Sequence, residues 1–266
     1  MDQATVAAHW NRNAENWTRL SRQGYDTFRD HVNTPGFLSI LPDVDGLEGL
    51  DIGCGEGTNT RRVAARGASM QGIDLAPVFI RYAQETEAED PRGITYQLAS
   101  ATALPFPDAR FDFATAFMSL MDLPDQRLAI REAYRVIKPG GFLQFSICHP
   151  CFHTPRFKWV LDEAGERVAL EVGDYFQPRW GDVESWTFGS APQEARDALP
   201  SFELFNVPRF DRTLSDWLNL LCEEGFLLAR CHEPTASDAA LEACPKVADT
   251  RLIAYSVIFQ LRKPVA

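Results

Sequence analysis

Two cysteines, two histidines and a proline fall within eight positions at residues 146–153, SICHPCFH. Such a cluster could be a dithiol redox pair, a zinc knuckle or the rim of an active site. A redox C-x-x-C opens a helix, where the macrodipole lowers the thiol pKa, whereas Cys148 and Cys151 follow the apolar run GGFLQFSI and enclose Pro150. Structural zinc needs a second pair of ligands at a distance, and Cys222, Cys231 and Cys244 stand singly. The spacing favours the rim of a pocket, and no metal is expected. Here His149 is the candidate proton acceptor for a hydroxyl substrate, because a free imidazole is largely neutral at pH 7. Asp122, in LMDLPD, is its rival, and a purely structural His149 bonded to the loop is the alternative.

A second constellation is LDIGCGEG, residues 50–57. Gly53, Gly55 and Gly57 suit a sharp strand-to-helix turn whose backbone approaches a ligand. A dinucleotide fingerprint needs G-x-G-x-x-G, but its third glycine position is occupied by Thr58. Asp51, inside the strand end, repels a pyrophosphate and suits a cationic ligand. Asp74, in QGIDLA, closes the next strand, where a carboxylate can accept from both hydroxyls of a ribose.

Positioning these groups requires strands that end together. From about 46 to 148, short apolar runs alternate with helical ones: GLEGLDIG, TNTRRVAARG, SMQGIDL, APVFIRYAQETEA, GITYQLA, FDFATAFM, QRLAIREAYRVI and GGFLQFSIC. That rhythm predicts βαβ units and a parallel sheet. LSDWLNLLCEEG predicts an amphipathic helix stopped by Gly225. FLLARCHEP and RLIAYSVIFQLRK follow as strand-like runs that need no helix between them and predict an antiparallel edge pair. Residues 151–213 hold five prolines and no helical period, which predicts an irregular insertion with a few short strands. Of the chain's 30 aromatic residues, 12 lie at 151–217, so this segment is either a cap with its own core or the aromatic wall of a pocket.

The 266 residues are 45% apolar and 24% charged, an ordinary globular composition. The N-terminus lacks the pattern of a secretory signal, and no apolar stretch reaches membrane-helix length. A cytoplasmic protein with reduced cysteines and no membrane partner is expected. A net charge of −11, with no basic cluster, disfavours nucleic acid and leaves a small molecule as the expected partner.

In order and spacing, LDIGCGEG, GIDLA, ALPFPDARFD and REAYRVIKPGGFL resemble the class I S-adenosylmethionine-dependent methyltransferases, small-molecule branch, similar to quinone-type enzymes. The resemblance spans about residues 46–148, with HWNRNAENW a weaker match to a lead-in helix. It implies a doubly wound, Rossmann-like α/β fold with a mainly parallel seven-stranded sheet, an antiparallel C-terminal strand and an inserted cap. The implied division is a helical lid at 1–45, a cofactor-binding core at 46–150, a cap at 151–213, and a helix with strands completing the sheet at 214–266. The implied cofactor is S-adenosyl-L-methionine. Asp51, Gly53 and Gly55 would surround its methionine part, with Gly57 letting the helix start close by. Asp74 would hold the ribose, Leu75 would pack on the adenine, and Ala101 would contact its ring. Ser100 stands where the family usually has an Asp for the adenine amino group. The carbonyl of Phe117 or Met118 would face the methionine amino group, and Arg29 or Tyr25 its carboxylate. The expected reaction is methyl transfer to a small-molecule acceptor, with O-methylation favoured over N- or C-methylation. The alternative is a catalytically silent cofactor-binding or partner-activating subunit; a nicotinamide oxidoreductase is disfavoured by Asp51 and Thr58.

Overall fold

A computed structural model describes residues 1–265. The N-terminus is helical: α1 (Gln3–Arg22), capped by Asp2 accepting from the Thr5 N–H, then a π-helical turn (Arg29–Asn33) running into α2 (Thr34–Ile40). Then strands and helices alternate as β1 (Glu48–Ile52), α3 (Thr58–Ala64), β2 (Ser69–Asp74), α4 (Pro77–Glu89), β3 (Thr95–Leu98) and β4 (Phe111–Phe117). After α5 (Gln126–Val136), whose cap Asp125 accepts from the Leu128 N–H, comes β5 (Ile137–Cys148).

The insertion contains β6 (Arg156–Leu161), β7 (Arg167–Gly173), β8 (Trp180–Trp186), α6 (Gln193–Asp197) and β9 (Phe205–Phe210). Its strands pair as two antiparallel ribbons, β6 with β7 and β8 with β9, and α6 is a short helix the sequence pattern does not announce. The chain ends with α7 (Leu214–Glu223), β10 (Leu227–His232), α8 (Asp238–Ala243) and β11 (Ser256–Arg262). Gly225, at φ 92°, stops α7 as expected. The expectation of no helix between the last two strands is corrected: α8, capped by Ser237, and a 3-10 segment (Pro245–Arg251) fill that connection. Val247 and Ala240 bury their side chains there with Val32 of the π-helical turn, a contact between distant segments that periodicity within 233–255 does not show.

The main sheet has the order β10-β11-β5-β4-β1-β2-β3. Strands β1 to β5 are parallel, β11 runs antiparallel to β5, and β10 antiparallel to β11. The order reverses between β1 and β4. In an open α/β sheet this switch point opens a crevice at the carboxyl ends of the strands. Strand β1 is buried over Gly49–Ile52 because helices cover both faces of a parallel sheet.

The insertion is fastened to α1 by aromatic packing. Trp17 meets Trp186, Phe188 and Phe205 at centroid separations of 5.5, 4.9 and 4.8 Å, and Phe205 is fully buried between them. Asn13 adds a two-way bond to the Asn206 backbone, donating to its carbonyl at 3.0 Å and accepting from its N–H at 2.9 Å. Phe205→Ala should lower stability by about 3–5 kcal/mol, the usual cost of emptying a buried aromatic site. Urea unfolding measures the loss, and hydrogen exchange should show α1 loosening more than β1 and β4.

Candidate functional site

A cleft of about 1140 Å³ opens at the carboxyl ends of β1, β2, β4 and β5. Its floor is the glycine loop. Gly53, at φ 73°, and Cys54 both donate their N–H to the Ile73 carbonyl at 2.8 Å, folding the end of β1 onto β2. At Gly53 an added Cβ would lie 2.5 Å from the Cβ of Ser119, so that position has no room for a side chain. At Gly55 the Cβ position faces open space, which leaves the backbone accessible from the cleft. Gly57 does not line the cleft; it precedes α3 at φ 88° and packs under Tyr96, so it serves the helix start.

The carboxylates here are desolvated. Asp74 accepts from the Gly55 N–H and from the Ala76 N–H, each at 2.9 Å. Burial raises its pKa, and bonds from the Ala76, Gly55 and Leu75 backbone oppose that. Each of its oxygens retains a lone pair for a further donor. Asp51 is 1% exposed and accepts from Thr60 at 2.6 Å and from Thr115 at 2.9 Å. Burial, helped by the charge of Asp74, pushes it up to about 6 against the two hydroxyl bonds. Asp26 is likewise pushed to about 6 by burial, against Arg29. A cleft lined by reluctant anions favours a cationic ligand, which would draw their pKa values down.

Of the expected cofactor residues, Tyr25, Arg29, Asp51, Gly53, Gly55, Asp74, Leu75, Ala101, Phe117 and Met118 line this one cleft. Met118 takes a left-handed conformation at φ 53°, and its N–H donates to the Ser146 carbonyl at 3.0 Å. A positive φ at a non-glycine residue stores strain where the chain leaves β4 for the cleft. Two expectations need correction. Ser100 does not line the cleft: its hydroxyl accepts from Gln3 of α1 and from the Thr102 N–H, so it is already occupied. Arg29 is largely spent on Asp30, at 3.0 and 3.2 Å, on the Ser21 carbonyl and on Glu56 at 3.5 Å.

His149 is also corrected. It is buried, its Nδ1 accepts from the Cys151 N–H at 3.2 Å, and its Nε2 lies 2.7 Å from Glu233. Cys148 faces the cleft, so the next residue of an extended chain points to the other side. Both ring nitrogens are committed away from the acceptor space. The motif SICHPCFH does reach the rim, through Cys148 and His153.

Asp122 is placed differently. It lies in the 3-10 turn after β4, is 5% exposed, and lines both the cleft and a cavity of about 40 Å³ behind it. Its Oδ1 is buried without a hydrogen-bond partner. Burial pushes its pKa up to about 7, Arg209 opposes this, and Asp211 and Glu184 add to it. The insertion supplies what the sequence reading missed: Arg209 and Glu184, joined at 2.6 Å, and Arg179, bound to Asp211 at 2.6 Å. Nothing local marks Arg209 in NVPRF, because only the β8–β9 pairing turns it into the cleft. No group of three or more His, Cys, Asp or Glu among the described residues is arranged to hold a metal.

Residues 50–145 match the family described as "Methyltransferase domain". The chain is 38% identical over 149 residues to a demethylmenaquinone methyltransferase of Tropheryma whipplei (strain Twist), covering 53% of this chain and 60% of that protein. It is 37% identical over 121 residues to a ubiquinone biosynthesis O-methyltransferase of Idiomarina loihiensis, covering 44% and 50%. The chain thus spans about half the length of these curated relatives. A solved S-adenosylmethionine-dependent methyltransferase from Mesorhizobium loti superposes with a TM-score of 0.69 at 27% identity, over 86% of this chain and 96% of that one. Residues 50–145, with their glycine loop and Asp74, thus form a methyltransferase domain, set in a seven-stranded sheet whose fold is shared with the solved S-adenosylmethionine-dependent methyltransferase.

Proposed function

We propose that the protein transfers a methyl group from S-adenosylmethionine to a hydroxyl of a small-molecule acceptor, with Asp122 as the proton acceptor. The reading is carried by one observation: Asp122 is an unpartnered buried carboxylate, with a pKa of about 7, in the cleft that also holds the glycine loop and Asp74. When bound, the sulfonium supplies the methyl carbon to the acceptor oxygen and keeps the electron pair of the broken carbon–sulfur bond as a thioether.

The chain's residues do the rest. Asp74, fixed by two backbone N–H groups, offers its remaining lone pairs to a ribose, and the open backbone at Gly55 allows close approach. Asp51 and the acidic surroundings favour a ligand carrying ammonium and sulfonium charges. Leu75 and Ala101 provide apolar surface for an adenine, and Phe117, stacked on Phe37 at 3.8 Å, is held in place at the cleft. The aromatic groups Trp17, Trp186, Phe188, Phe157 and Trp159 line the same space and exclude water from an apolar acceptor. The names of the relatives, a demethylmenaquinone methyltransferase and a ubiquinone biosynthesis O-methyltransferase, support a ring-bearing acceptor. A general base works best with a pKa near the operating pH, which Asp122 meets, whereas both ring nitrogens of His149 are engaged elsewhere.

Asp74→Ala should weaken S-adenosylhomocysteine binding by about 1.5–3 kcal/mol, the worth of bonds to a charged group, with circular dichroism unchanged. Calorimetric titration reads this, and unaltered affinity in a folded variant means that the ribose is held elsewhere.

Asp122→Asn should cut kcat by about 10²-fold or more while leaving S-adenosylhomocysteine affinity as it was. The base must be ionised, so wild-type turnover should rise with pH through about 7, and the variant should lose that limb. Stability supplies an independent readout. A carboxyl with a raised folded pKa binds its proton more tightly folded than unfolded, so ionisation destabilises as pH rises from about 4 past 7. Asp122→Asn should therefore unfold at a higher urea concentration than wild type at pH 8, with the gain shrinking toward pH 4. No gain at pH 8 would count against a desolvated Asp122.

His149→Gln should leave turnover near normal, because the ring faces Glu233. A loss of two orders of magnitude in a folded variant would restore His149 to the mechanism.

A further inference from the structure

The insertion side of the cleft is a wall of paired charges with two open ends. Arg209 is 7% exposed and donates from Nε to Glu184, while its two terminal amino groups donate no hydrogen bond to the protein among the described residues. Asp122 accepts no hydrogen bond on its carboxylate either. Both line the cleft, and both line the cavity of about 40 Å³ behind it, room for little more than a couple of small polar groups. The buried acceptor left without a partner carries a penalty that a ligand can remove, and the free amino groups of Arg209 stand open to the cleft beside it.

Resting on the reading above, we propose that the acceptor is an uncharged molecule with its methylated hydroxyl conjugated to a neighbouring carbonyl, the hydroxyl on Asp122 and the carbonyl oxygen on the free amino groups of Arg209.

Charge balance excludes the anionic counterpart. Arg209 is matched by Glu184, whose pKa burial tends to raise but Arg209 and Arg179 hold low, and Arg179 is matched by Asp211. Burial and the charge of Arg209 push the pKa of His153 down, leaving its ring neutral. Burial also pushes the Cys148 thiol up to about 11, so it adds no charge. The ionised Asp122 is then the unmatched charge of the wall. An acceptor carboxylate would place a second uncompensated anion in a desolvated space.

Conjugation matches the chemistry of the pair. As the hydroxyl proton moves to Asp122, the electron pair it leaves spreads toward the carbonyl oxygen, where Arg209 meets it. That contact strengthens as the proton departs, which makes it worth more in the transition state than in the ground state. The hydroxyl oxygen retains a lone pair to bond the methyl carbon. A hydroxyl conjugated to a carbonyl is also more acidic than an alcohol, within reach of a carboxylate base. Flat conjugated rings suit the faces of Trp17, Trp186 and Phe188.

The test is calorimetric titration of the full chain, saturated with S-adenosylhomocysteine, with 2-hydroxyacetophenone, phenol and 2-hydroxybenzoate. The ketone should bind about tenfold or more tighter than phenol and tighter than the benzoate. Arg209→Gln should bring the ketone down to the phenol level without moving phenol or S-adenosylhomocysteine. If that variant loses its circular dichroism, Arg209→Gln with Glu184→Gln removes both partners of the ion pair and replaces it. Equal binding of ketone and phenol to wild type overturns the proposal, as does a ketone preference surviving in the folded variant. Tighter binding of the benzoate, or no binding of any probe at millimolar concentration, overturns it too. Failure of S-adenosylhomocysteine to bind, or failure of a bound ketone to be methylated, counts instead against the proposed function; the same titrations without it still read the acceptor preference.

Discussion

The arrangement of the molecule turns on carboxylates held out of water at the ends of parallel strands. Asp51 is the penultimate residue of β1, Asp74 ends β2 and Asp122 follows β4, so three desolvated acids converge where the strand order reverses. Each costs stability when ionised. The fold offsets part of that cost with donors that are themselves structural: Thr60 and Thr115 on Asp51, and the Gly55 and Ala76 N–H groups on Asp74. Asp122 receives no such donor. The acid that lines both the cleft and the small cavity is thus the one the protein leaves least compensated.

Glycines and hydroxyls near the loop follow from that constraint. The chain must turn hard after Ile52 so that the N–H groups of Gly53 and Cys54 reach the Ile73 carbonyl, which brings Gly55 under Asp74. Ser119, donating to the Ile52 carbonyl at 2.6 Å, packs where a side chain on Gly53 would stand. The β4 exit at Met118 is strained in turn and is pinned to Ser146 of β5. A buried polar ladder continues through Asn33, which donates to Ser146 and accepts from Ser256, so the π-helical turn, β5 and β11 are registered by the same network.

The insertion contributes in two separable ways. Its aromatic residues join α1 in one cluster that lines the cleft, and its charged residues build the wall beside Asp122. Arg61, also buried, shows the contrast: its ion pair with Glu87 at 2.6 Å ties α3 to α4, and it does not line the cleft. Pairing on the insertion wall is instead incomplete on the side that the cleft and the small cavity share.

The sequence by itself determined the alternating strands and helices, the glycine turn, Asp51 and Asp74, because these depend on local periodicity and on the few residues that tolerate a left-handed turn. It also placed Asp122 and His149 near strand ends, since the strands could be counted. Tertiary structure places them on different sides. Whether a residue after a strand faces a cleft or the opposite side depends on where β5 ends, and Cys148 takes the cleft side, leaving His149 for Glu233. Ser100 was legible as a hydroxyl near the adenine position, but its occupation by Gln3 arises from a contact 97 residues away in sequence. Arg209 and Glu184 were not legible at all, because their meeting requires β8 and β9 to pair across an intervening helix. Desolvation and long-range pairing are properties of the assembled chain, and they, not residue type, set which acid in the cleft is poised to take a proton.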